Sequence, residues 1–472
     1  MSRPITGVRP RNDPSPGSDP LPVVSDSLLA RLERIPFTGW HLRARLIMGS
    51  ATFFDAFDAL SLAFVLPVLV PLWGITPVQI GWLIAAGYLG QFAGALIFGA
   101  LAERYGRIRG VVGATALMSV MSIACVLAGS FPALIVLRLV QGIGVGGEMP
   151  VAAVYINELS KARGRGKFFL LYEMIFPIGL MMTGQIGALV VPVLGWQSMF
   201  LIGGIPGLVI AGLLLRLRES PRWLINRGRL GEAEAIIEEM ERAADIDAGK
   251  EPAPAGAASS AQDQPAASKT RWLELLSPAY RARTLAVWVL WACAYFITNG
   301  LNNWMPTLYN RVYGLSIPDA LRAGTLTNIA QVALLLVCAF VIDRVGRRRW
   351  MAVCFVAGAL LLAGLGTFAS GSVGAVIALV TISYGIVGSA NAVLYLYTPE
   401  IYPTRMRAIA TGAATCWLRL ASAAAPLLVG YLVAARGTGA VFLMFAAAGV
   451  IGALAAAWMV ETRNRRLEEI AT

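Results

Sequence analysis

Runs of roughly 18 or more apolar residues recur along this chain, at approximately 46–70, 77–101, 110–129, 132–156, 168–194, 198–217, 285–308, 322–342, 350–370, 373–397, 408–434 and 439–460. In hydrocarbon such a segment can satisfy its backbone hydrogen bonds internally only as a helix, so the expected fold is an all-α membrane protein with twelve transmembrane helices. Composition agrees: 57% of the residues are hydrophobic and 14% charged, where soluble domains carry about a quarter charged residues.

The halves repeat. Glu103-Arg104-Tyr105-Gly106-Arg107, between the second and third runs, returns 240 positions later as Asp343-Arg344-Val345-Gly346-Arg347. Glu158 with Arg163 and Arg165 likewise returns as Glu400 with Arg405 and Arg407. An acid, a turn and a basic cluster repeated between membrane-length segments indicate two related six-helix bundles, the construction of alternating-access transporters.

The formal net charge of +12 invites a nucleic-acid reading, but its placement argues against one. Arg and Lys fill every second connection and leave the alternate ones near 71–76, 130, 195 and 371 bare. Positive loops stay cytoplasmic, so both termini are expected inside a multi-pass plasma (inner) membrane. All five cysteines fall inside apolar runs without metal-ligand spacing, and His41 is the sole histidine. No metal site or cofactor is therefore expected beyond the proton gradient, and no nucleophile–base pair suggests an enzyme.

The expected organisation is a cytoplasmic tail over 1–45, a first bundle over 46–217, a linker over 218–284, a second bundle over 285–460 and a tail over 461–472. Residues 1–25 read as disordered. A short capped amphipathic helix over 26–33 is expected along the inner membrane face. Gly228 to Ala244 reads as helix, and 246–270 as an Ala/Pro/Ser/Gln linker.

These residues resemble the major facilitator superfamily. The segment Gly99 to Arg109 is similar to its signature loop, with Glu103 where Asp is usual, and Arg138-x-x-Gln141-Gly142-x-Gly144 is similar to its fourth-span signature. Stretches at 218–224, 399–405 and 461–468 resemble the branch of sugar porters, organic-ion transporters and metabolite/proton symporters. Within it, Phe54-Asp55-Ala56-Phe57-Asp58 and Val145-Gly146-Gly147-Glu148-Met149-Pro150 look like the aromatic-acid/proton symporters and nicotinate-transporter-like proteins, although Ala56 stands where the former usually have Gly. Asn299 to Asn303 replaces the Gln-rich stretch of sugar porters.

An ionisable group near mid-membrane costs about 3 kcal/mol or more, so each needs a partner, a water passage or a task. Asp55 and Asp58 sit near the middle of the first span, three residues apart and so about 60° apart around the helix. Proton coupling at Asp55 or Asp58 and a structural ion pair are both open. Glu148 and Glu173 are candidate proton relays. Arg138 and Arg419 are permanent cations able to grip a carboxylate bidentately, or to pair internally with those acids. The resemblance puts Gln141, Asn299, Asn302, Asn303, Trp304, Tyr384, Asn391 and Tyr395 on helices lining a central cavity, where a planar ligand would stack and accept amide hydrogen bonds.

A gate between the inner ends of the bundles is expected from Glu103, Arg104, Arg107, Glu158, Arg163, Glu219, Asp343, Arg344, Arg347, Glu400 and Arg405. The expected function is proton-coupled uptake of a small organic acid, aromatic or heteroaromatic, by a monomer; a sugar or organic-cation porter is the alternative. A non-transporting sensor has no output domain to work through.

Overall fold

The computed structural model describes residues 20–159, 174–245, 272–367, 372–403 and 406–462. Six helices make the first bundle: α2 (Gly39–Trp73), α3 (Pro77–Tyr105), α4 (Arg107–Val126), α5 (Phe131–Glu158), α6 (Ile175–Leu194) and α7 (Gln197–Leu214). The second comprises α10 (Arg281–Arg311), α11 (Ile317–Val345), α12 (Arg347–Thr367), α13 (Val373–Glu400) and α14 (Arg407–Ala457). Before and between them lie the short helices α1 (Pro20–Arg34), α8 (Pro221–Asn226) and α9 (Leu230–Ala243).

Among the described residues, eleven helices are long and apolar enough to cross a membrane. The last, α14, holds two crossings, because Gly437 breaks the helix with φ 77° and ψ −176°. The twelve expected crossings are thus present, and the repeated cassettes share one side of the molecule. This is the cassette side of the bundle, and its opposite is the far side.

Small residues decide how closely the helices approach. Gly142 and Gly146, four residues apart on one face of α5, meet the backbone of α3 at Gly87 and Gln91, and a Cβ at either position would overlap a carbonyl oxygen. Gly144, on the opposite face, lies as tightly against α4 at Ala114 and Met118. Backbone-to-backbone contact of this kind replaces the hydrophobic drive that is missing between helices in lipid.

The two halves also meet through glycine. Towards the far side, a Cβ at Gly81 of α3 would stand 2.7 Å from the Pro426 carbonyl oxygen of α14, and one at Gly184 of α6 would stand 2.7 Å from Thr325 of α11. Tyr88 of α3 accepts a hydrogen bond from Asn303 of α10 at 3.0 Å.

Two expectations need correcting. Helix α1 begins at Pro20, so residues 20–25, read as disordered, are helical, while 1–19 lie outside the described residues. Nor does α1 present its apolar face to a membrane. Leu28, Leu32 and Ile35 pack with Trp223, Ile236, Ile237 and Met240 of α8 and α9. Arg31 forks onto Glu241 at 3.0 and 2.7 Å, and Arg222 pairs with Glu33. An amphipathic stripe says that a helix will bury one face; the partner that covers it is a tertiary fact.

Candidate functional site

The two aspartates of α2 serve different surroundings. Asp58 is fully buried within the first bundle, where Ser122 of α4 donates to its Oδ1 at 2.9 Å and the bare backbone of Gly203 in α7 makes room for the carboxylate. Arg138 of α5 stands beside it, donating to the Asp58 carbonyl at 3.4 Å and to Gln141 Oε1 at 2.7 Å. Arg138 is thereby held by its own bundle. Three residues apart on α2, the two aspartates thus have different nearest neighbours.

Asp55 faces the other half. It is 2% exposed, has an Oδ1 with no hydrogen-bond partner, and lies within electrostatic reach of Glu148 and Arg419. Glu148 accepts from Thr52, one turn before Asp55, at 3.0 Å. Thr52 and Asp55 therefore share the face of α2 that looks at α5 and α14.

Arg419 crosses the interface. From α14 it donates to Gln91 Oε1 of α3 at 3.4 Å and to the Gly146 carbonyl of α5 at 3.3 Å. That carbonyl is free to accept for a local reason. Its partner in an unbroken helix would be the N–H of residue 150, and Pro150 has none. Freed carbonyls at membrane depth must find another donor, and here the donor comes from the opposite bundle.

Around Arg419 the second half supplies aromatic and amide groups. Tyr295 and Tyr395 lie within electrostatic reach of its guanidinium. Trp291 braces both, stacked on Tyr295 at 5.6 Å and edge-on to Tyr395 at 4.6 Å. One turn towards the far side, Asn299 donates to Ser422 at 2.6 Å and Asn391 donates to Thr298 at 3.3 Å.

Asn302, Asn303, Trp304 and Tyr384 form a different group, still further towards the far side. Asn328 donates to Asn302 at 3.3 Å and Tyr384 donates to Gln331 at 3.1 Å, while Trp304 is packed in the apolar core. Sequence reasoning missed Thr52, Tyr88, Gln91, Tyr295, Thr298, Asn328, Gln331 and Ser422. Their signal was weak but visible: a polar residue inside an apolar run.

At the cassette side the networks close within each half. Arg107 pairs with Glu103 at 2.8 Å and Glu158 at 3.0 Å, and Glu219 caps the start of α4 by accepting from the N–H groups of Arg107 and Ile108 at 2.9 and 3.2 Å. The second half repeats this: Arg347 pairs with Glu400 at 3.3 Å, and Glu461 caps α12 through the N–H groups of Arg347 and Arg348 at 2.9 and 3.2 Å. Gly106 and Gly346, with φ of 114° and 93°, leave the space that each capping carboxylate fills.

Burial pushes the Glu219 carboxyl above its ordinary range, against three backbone N–H groups that pull it down. Glu461 was not anticipated. Among the described residues these ion pairs join groups of one half, and each capping carboxylate serves a helix start of its own half. Arg104 lies over the Tyr105 ring and Arg344 is exposed. Arg163, Glu173 and Arg405, and the side chain of Asp343, lie outside the described residues.

Comparison with known proteins follows the same lines. Residues 49–472 match the sequence family described as sugar (and other) transporter. The niacin transporter NiaP of Acinetobacter baylyi is 30% identical over 453 residues, which are 94% of this chain and 99% of that one. The 4-hydroxybenzoate transporter PcaK of Pseudomonas aeruginosa is 29% identical over 381 residues, 79% of this chain and 82% of that one. Among solved structures, a partially occluded inward-open conformation of the xylose transporter XylE from E. coli superposes with a TM-score of 0.71. It covers 91% of this chain and 100% of that chain at 19% identity, a likeness of fold.

Proposed function

Because the chain belongs to the sugar (and other) transporter family of the major facilitator superfamily, and is a multi-pass membrane transporter rather than an enzyme, we propose that it imports a small aromatic or heteroaromatic carboxylate together with protons. The observation that carries this reading is Arg419, a buried cation of one half held against Gln91 and the Gly146 carbonyl of the other. A carboxylate cargo offers that guanidinium a stronger, bidentate partner than a neutral carbonyl. Cargo binding would thus exchange a contact between the halves for a contact with the ligand, which is what a rocking bundle requires.

Charge balance supports the proton. Among the described residues buried in mid-span, three carboxylates (Asp55, Asp58 and Glu148) stand against two guanidiniums (Arg138 and Arg419). One bound proton makes this set neutral, and an anionic cargo calls for one more. Charge at mid-bilayer is unfavourable enough that the neutral combinations should be the ones that reorient. Asp58 accepts from Ser122 and has Arg138 as a nearby countercharge within its own bundle, whereas Asp55 lies within reach of Arg419 of the other half, so we assign the coupling to Asp55 with Glu148 beside it.

Relatives of this chain carry niacin and 4-hydroxybenzoate, both planar ring carboxylates suited to a site built from Tyr295, Tyr395 and Arg419. The run of Arg on the cassette side supports an orientation in the plasma (inner) membrane with both termini cytoplasmic. Uptake by proteoliposomes of benzoate, nicotinate, choline and glucose, with and without an imposed inward proton gradient, tests the reading. Accumulation of the ring acids that depends on the gradient is expected. Accumulation without it, or of choline or glucose in their place, would overturn the proposal.

A further inference from the structure

The amides next to Arg419 have a fixed sense. Thr298 donates its own hydroxyl hydrogen to the Ala294 carbonyl, one turn back along α10, at 2.9 Å. Its oxygen can then only accept, so Asn391 must turn its NH2 towards it, as the 3.3 Å contact has it. The other end of that amide, Asn391 Oδ1, is buried with no hydrogen-bond partner.

Asn299 obeys the same rule. Ser422 donates its hydrogen to the Leu418 carbonyl at 2.7 Å, leaving an oxygen that accepts from Asn299 Nδ2 at 2.6 Å. The Asn299 carbonyl oxygen is therefore also presented as an acceptor. Such an assignment follows from the hydrogen-bond network and does not depend on telling nitrogen from oxygen by eye.

Both acceptors lie at one level. Asn391 is four residues from Tyr395 on α13, Asn299 four from Tyr295 on α10, and Ser422 three from Arg419 on α14. All three steps lead towards the far side, by about 6 Å for the four-residue steps and about 4.5 Å for the three-residue one. A benzene ring that rests its carboxylate on Arg419 and lies between the tyrosines spans a distance of this order to a substituent across the ring.

From this we infer that the cargo carries a hydrogen-bond donor on its ring, which makes it a hydroxylated aromatic carboxylate rather than a pyridine carboxylate. The inference rests on the carboxylate-transport reading above and narrows it. A phenolic O–H gives its hydrogen to Asn391 or Asn299. An unprotonated pyridine nitrogen has only a lone pair to set against their oxygens, and two acceptors facing each other in a dry site are worse than no polar group there. Asn391 and Asn299 read the donor; Thr298 and Ser422 are positioning residues that hold the amides in sense.

The test is competition for uptake in proteoliposomes of the full chain, with benzoate, nicotinate, 3-hydroxybenzoate and 4-hydroxybenzoate as probes. At least one hydroxybenzoate should compete about tenfold better than benzoate, the worth of one buried hydrogen bond, and nicotinate should do no better than benzoate. Asn391→Ala or Asn299→Ala should shrink the hydroxybenzoate-to-benzoate ratio towards one. Thr298→Ala should shrink it as well, while Thr298→Ser, which keeps the hydroxyl, should restore it. Nicotinate competing as well as the hydroxybenzoates would overturn the inference, as would a ratio unmoved in both asparagine variants. Saturable uptake of none of the four acids would overturn the carboxylate reading beneath it, and is distinguishable by that uniform silence.

Discussion

Arg419 of the second half donates to the Gly146 carbonyl of the first at 3.3 Å, and Pro150 is the reason that carbonyl is available. The proline on α5 thus determines what the arginine on α14 can hold. Contacts of this kind, strong enough to join the halves and weak enough for an anion to displace, suit a transporter that must pass between two states of similar free energy.

Replacing Pro150 tests that relation. Pro150→Ala returns an N–H to the Gly146 carbonyl and removes the acceptor that competes with cargo for Arg419. The apparent affinity for the transported acid should rise several-fold, a change expected of one lost hydrogen bond to a charged group. Concentration dependence of initial uptake rates is the measurement; a lower maximal rate at unchanged affinity would mean that Pro150 acts only by bending α5.

Asp55→Asn should separate coupling from movement. The amide keeps the shape of the carboxyl but cannot carry a proton, so uphill accumulation under an imposed gradient should vanish while exchange of labelled for unlabelled acid continues. Full accumulation by this variant would remove Asp55 from the coupling site.

Asp58 and Arg138 should behave as a structural pair. Loss of one partner strands a buried charge, at a cost of about 3–5 kcal/mol, and Asp58→Asn or Arg138→Gln alone should lower the thermal stability of the purified protein. The double variant should recover part of the loss. Additive losses would show that the two groups do not compensate each other.

At the far side, Gly81→Val should disfavour the closed arrangement, since its Cβ would meet the Pro426 carbonyl oxygen at 2.7 Å. A cysteine placed at position 78 should then react faster with a membrane-impermeant maleimide than in the parent. Equal reactivity would indicate that α3 and α14 yield locally without opening.

Glu219→Gln bears on pH. Burial holds the folded-state carboxyl of Glu219 above the ordinary 4.5. The stability this contributes is present below the unfolded value and is lost as pH rises through the folded one. Gln does not titrate, so the stability of the wild type relative to the variant should fall as pH is raised from about 4 to about 7. Melting temperatures across that range measure it, and a parallel pair of curves would contradict it.

The cassette side was the most legible part of the molecule. Glu103, Arg107 and Glu158 against Arg347 and Glu400 could be paired by their repeat alone, since a duplicated bundle puts the same residue types at the same helix ends. Glu461 escaped notice because its counterpart, Glu219, sits in a different local sequence, and only the shared task of capping α4 and α12 relates them. The site was half legible. A charge inside an apolar run is conspicuous, so Asp55, Asp58, Arg138, Glu148 and Arg419 were all found; the division of the two aspartates between separate neighbourhoods was not, nor were Thr298 and Ser422, whose hydroxyls look unremarkable until their donors are traced.

By itself the sequence determined the number of crossings, the duplication and the polar groups that would have to be accommodated, because hydrocarbon forces each apolar run into a helix and makes every buried charge stand out. Tertiary structure decided which groups meet. Whether an arginine answers to its own bundle, as Arg138 does, or reaches into the other, as Arg419 does, depends on helix rotation and spacing. These are set by glycine contacts between backbones distant in the chain, and no local pattern encodes them.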